Sequence, residues 1–134
     1  MYRLIEALGG ARAQIAQTKP LPETVARRSF IRLLARTRPF YEAVGAISVA
    51  GEAQFGDMAE TYARVGETRY GLSPEATAFW WVHAKADKEH GGTAFAIVSQ
   101  WARTDEEQQR VIESVRQSLE LVWCWFDGFV RATA

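Results

Sequence analysis

The chain has 134 residues, sixteen of them basic and sixteen acidic, with two histidines and one cysteine. That length suits one domain with a real core, and the zero formal charge removes the electrostatic case for nucleic acid or an anionic membrane surface. A lone cysteine excludes an internal disulfide framework and suits a reducing, cytoplasmic setting.

The hydrophobic period is helical almost throughout, and no strand alternation stands out. Residues 1 to 8 read as a helical turn or two, stopped by Gly9 and Gly10. A polar linker follows and ends at Lys19-Pro-Leu-Pro22. Pro22 suits the first turn of a helix running to about Arg36. Arg38-Pro39 breaks the chain and opens a helix to about Ala53, and Gly56-Asp57 suggests a reset before a helix over roughly 57 to 69. Ser73-Pro74 supplies a capping hydroxyl followed by a proline where its missing N–H costs nothing, so the next helix runs to about Ala102, with Gly91-Gly92 as a bend. Thr104-Asp-Glu-Glu107 has capping-box spacing and starts a last helix over about 105 to 131. No run approaches the ~18–20 apolar residues of a membrane span, and no secretory signal opens the chain. The expected architecture is all-α, a bundle of about five helices in one domain. Tyr2, Leu4, Ile5 and Leu8 look like the end of an amphipathic helix with nothing before them to cap it. An N-terminally incomplete domain and a frayed terminal helix docked on the core both account for this.

His83 and His90 are the only histidines, with Asp87 between them. On a helix, steps of four and seven advance roughly 40° and −20° around the axis, so the three side chains share one face. Within about 60° of His83 lie Ala76, Phe79, Trp80, Ala94, Ile97 and Trp101, while Thr77, Trp81, Lys85, Lys88 and Arg103 fall opposite. The triplet therefore belongs to an apolar stripe. A carboxylate among aromatic rings is expensive unless neutralised, and a metal ion satisfies all three groups at once. A hydrogen-bonded core histidine and an Asp–His proton couple are the plainer readings. Asp87-x-x-His90 also parallels the Glu-x-x-His step of di-iron carboxylate bundles. Glu52 is the best ligand from a facing helix, because its face carries Tyr41, Gly45, Ser48, Val49 and Phe55. Glu42 lies about 80° away and is the weaker choice. Cys124, between tryptophans, reads as a core thiol.

These residues resemble the haem-oxygenase-like di-iron oxidases and oxygenases, the iron-containing redox enzymes, which share a fold with thiaminase-2 and pyrroloquinoline-quinone synthase. The likeness rests on His83-x-x-x-Asp87-x-x-His90 and on Ala43 to Glu52, similar to the segment that supplies a bridging glutamate. Tyr70-Gly-Leu-Ser73 and Trp123-Cys-Trp-Phe-Asp-Gly128 resemble the turn before the ligand helix and the last helix. The resemblance implies a haem-oxygenase-like helical fold. It further implies Glu52, His83, Asp87 and His90 as metal ligands, one or two irons, and dioxygen with a small-molecule substrate.

Family members usually draw a further glutamate and histidine, about seven residues apart, from an earlier helix. No histidine precedes His83 here, so the resemblance implies roughly the C-terminal two thirds of the family fold. Two other functions stay open. One is a metal-independent enzyme like thiaminase-2 or the quinone synthase, using these groups as acids and bases. The other is a non-catalytic chain that needs a partner or forms a homodimer to cover its apolar face.

Overall fold

A computed structural model describes all residues from Met1 to Ala134, and every regular element is helical. The elements are α1 (Tyr2–Ala7), α2 (Arg12–Gln17), α3 (Pro22–Thr37), α4 (Phe40–Val44), a π-helical segment (Gly45–Glu52), α5 (Ala53–Tyr70), α6 (Pro74–Trp101) and α7 (Asp105–Thr133). The all-α expectation holds. No helix is long and apolar enough to cross a membrane. The chain divides into two compact units, one of residues 1–19 and 54–89, the other of residues 20–53 and 90–134.

In the first unit α5 pairs with the opening part of α6. Gly56, Ala59, Ala63 and Gly66 are buried along one side of α5, a spacing of three and four that keeps small side chains on one face. The backbones approach closely: a side chain at Gly56 would press on Lys88, and one at Gly66 would meet Thr77 and Trp80. Residue 56 thus sits beside 88 and residue 66 beside 77, so the two helices run antiparallel. The turn between them needs Gly71, whose φ of +63° suits glycine. Pro74 then fills the first position of α6, and Ser73 Oγ accepts from the Ala76 N–H at 3.4 Å.

Thr77 and Trp81 depart from the expected solvated side. Thr77 is fully buried, with its hydroxyl donating to Glu67 Oε1 at 2.7 Å. Trp81 Nε1 donates to the same oxygen at 2.7 Å. The wheel fixed where these residues sit on α6 but held no information about α5, which covers that side.

In the second unit α7 is the central partner. It packs against the π-helical segment, α3 and α4. Glu23 and Thr24 at the start of α3 bond Arg131 and Trp125 near the end of α7, so these two helices are antiparallel. Ser118 donates from α7 to the Ala46 carbonyl at 2.6 Å, deep in the interface. Leu34, Ala43 and Ala46 form the core there, with Phe30, Ile31 and Ile47 packed on it. The capping box at the head of α7 forms as its spacing predicts. Thr104 Oγ1 accepts from the Glu107 N–H at 3.2 Å, and Glu107 Oε2 accepts from the Thr104 N–H at 2.9 Å.

Two boundaries differ from expectation. The supposed linker contains α2, which begins where Gln14 Oε1 accepts from the Ala11 N–H at 3.0 Å. Gly56-Asp57 does not reset the chain: the π-helical segment runs directly into α5. The helix from Pro74 runs through Gly91-Gly92 to Trp101, close to the expected end at about Ala102. Gly91 lets α6 come close to Ala53, since a Cβ there would lie 2.7 Å from the Ala53 Cα.

Candidate metal centre

Asp87 and His83 lie on the part of α6 that belongs to the first unit, and Glu52 and His90 belong to the second. Asp87 is buried, with 5% of its surface exposed. His83 is half-buried and His90 is exposed. The apolar stripe therefore narrows toward its C-terminal end, where Trp101 is also 52% exposed.

His83 is the best-defined of the four. Its Nδ1 lies 2.8 Å from the Phe79 carbonyl oxygen one turn earlier. A carbonyl only accepts, so Nδ1 carries the proton, and a neutral ring then presents its lone pair at Nε2. Metal-binding histidines are oriented in this way by a bond from the other ring nitrogen. The ring is flanked by aromatic residues, with Phe79 tilted over it at 4.0 Å between centroids and Phe55 edge-on at 6.0 Å. Both contacts fix the plane of the imidazole.

Lys88, next to Asp87, is engaged by Asp57 at 3.0 Å and Glu60 at 3.4 Å. These hydrogen bonds, Asp57's the larger, push the Lys88 ammonium above its ordinary pKa. Nowhere do three or more His, Cys, Asp or Glu side chains converge closely enough to hold a metal ion. The donor chemistry of His83 and Asp87, an oriented imidazole and a buried carboxylate one turn apart, does fit a divalent transition metal.

Glu52 ends the π-helical segment and is half-buried. Its i→i+5 bonding gives a wider turn than an α-helix, so an α-helical wheel misplaces residues across this stretch. Glu42, the weaker candidate, is only 2% exposed and is paired with Arg110 Nε at 3.0 Å. Tyr41 belongs to the same polar cluster, with its hydroxyl 3.3 Å from Glu107 Oε1. Cys124 is exposed rather than a core thiol, because the buried face of α7 passes through Ser114, Ser118 and Gly128.

One feature near His83 escaped the sequence reading. An open cleft of about 490 Å³ runs along the first turns of α6, lined by Tyr2, Arg3, Arg12, Phe79, Val82 and His83 among others. Its far wall comes from α1 and α2, and α2 lies where the sequence predicts a linker. The available signal was Gln14 three residues after Ala11, a helix-start spacing without the usual capping hydroxyl.

A family model described as iron-containing redox enzyme matches residues 1–123. A 4-aminobenzoate synthase from Nitrosomonas europaea is 32% identical over 123 residues, which make up 91% of this chain and 50% of that protein. The chain thus spans about half the length of this curated relative. No solved structure matches it.

Proposed function

Because the chain belongs to the iron-containing redox enzyme family, we propose that it is an iron-dependent oxidoreductase, acting with dioxygen on a small metabolite. The observation that carries this reading is the bond from His83 Nδ1 to the Phe79 carbonyl, which commits Nε2 to be the free donor nitrogen. His83 and Asp87 are the primary ligands in this proposal. Iron held by imidazole and carboxylate groups supplies redox chemistry and open coordination positions.

The chain's own residues do the rest. Phe79 and Phe55 hold the His83 ring in one plane. Asp87, buried on the same helix, offers a negative charge that offsets a bound cation. The relative's name makes a small aromatic amine or acid the first metabolite class to try.

Oxygen uptake tests the reading. Protein reconstituted with ferrous iron under anaerobic conditions should consume dioxygen on mixing, and Asp87→Asn should lose most of that uptake. Uptake no greater than that of free ferrous iron, or unchanged by Asp87→Asn, would overturn it.

A further inference from the structure

The cleft beside His83 has a ligand chemistry of its own. Its wall is apolar, formed by Ala76, Phe79 and Val82 on α6 and the Tyr2 ring of α1. Its volume, about 490 Å³, falls within the range of roughly 300–1,000 Å³ seen for small-molecule sites.

Three charged side chains border it, and two are already committed. Arg12 is bound by Glu6 at 2.5 and 3.2 Å and lies over the Tyr2 ring. Glu75 is held in the first turn of α6 by its own backbone N–H and by the Ser73 hydroxyl. Arg3 is different. Its guanidinium is exposed at the edge of the cleft, and Glu75 is a charged neighbour with which it forms no ion pair. A guanidinium presents a planar fork of N–H donors, a shape that matches a carboxylate bidentately.

We propose that this cleft binds a small monocarboxylic acid with a planar apolar body. Its carboxylate is forked by Arg3, and its ring lies against Phe79 and Tyr2, with His83 in the same wall. That the bound acid is a substrate rests on the iron-dependent reading above; the binding itself does not.

The two are separable by titrating the full metal-free chain with benzoate and, in parallel, with aniline, which has the ring without the carboxylate. Benzoate should shift the His83 and Phe79 ring resonances saturably, and aniline should bind about tenfold more weakly, a carboxylate–guanidinium contribution of ordinary size. Arg3→Gln should lower benzoate affinity to the aniline level, with Arg3→Lys in between. Asp87→Ala should abolish iron uptake while leaving benzoate bound, and Arg3→Gln should leave iron uptake intact. Absence of saturable benzoate shifts, or equal benzoate affinity in Arg3→Gln and wild type, overturns the proposal whatever the iron content.

Discussion

Two carboxylates show how single residues are held. Glu42 is almost wholly buried, and Arg110 is its charged partner at 3.0 Å. Arg110→Ala leaves that carboxylate without a counter-charge and should cost roughly 2 kcal/mol in urea unfolding. This is less than the ~3–5 kcal/mol of a fully buried pair, because the Arg110 side chain is 38% exposed. Pairing it with Glu42→Gln should recover part of the loss; a strictly additive double variant would contradict the ion pair's role. Glu67 is held below its ordinary pKa of 4.5, first by the Trp81 N–H and then by the Thr77 hydroxyl. The folded protein thus binds this proton less readily than the unfolded chain. The resulting stability is complete above about 4.5 and is lost as pH falls through the lowered folded value. Glu67→Gln should therefore flatten the acid side of the melting-temperature profile, and an unchanged acid slope would count against the network. Neither partnership was legible beforehand. Both cross between helices, and helical periodicity specifies a face without saying which residue lies opposite.

Helices were the most readable level. Ser73-Pro74 and Thr104–Glu107 marked true starts, since capping chemistry is local and needs no partner element. Thr104→Ala should accordingly cost about 1 kcal/mol on thermal unfolding. Glycines were read poorly, because the same residue serves as a breaker or as a point of contact. Gly91 and Gly92 separate the two roles. Gly92 has nothing within 4 Å of an added Cβ, so Gly92→Ala should stabilise α6 by about 0.5–1 kcal/mol. Gly91→Ala would bring a methyl group to 2.7 Å from the Ala53 backbone. It should destabilise by about 1–3 kcal/mol despite the gain in helix propensity. Matched melting temperatures for the two variants would contradict this account of α6. The π-helical segment was invisible for another reason: the residues of Gly45–Glu52 carry no signal that separates i→i+5 from i→i+4 bonding, and the wider turn moves Glu52 off the position an α-helical wheel gives it.

At the scale of the whole molecule, fold class and family were accessible because periodic apolar residues and the His83–Asp87–His90 spacing survive without any knowledge of packing. The family match over residues 1–123 agrees with both. Burial along the His83–His90 stripe was only partly legible. The spacing correctly put Asp87 inside, but His90 and Trp101 lie exposed farther along the same stripe. A wheel assumes equal cover along a helix, and α6 does not have it. Bound iron tests the proposed roles of His83 and Asp87 as iron ligands most directly. Protein loaded with ferrous iron and freed of excess by gel filtration should retain iron in proportion to chain. His83→Ala and Asp87→Ala should each lose most of it while keeping their helical circular dichroism. Equal iron content in wild type and both variants would contradict the claim.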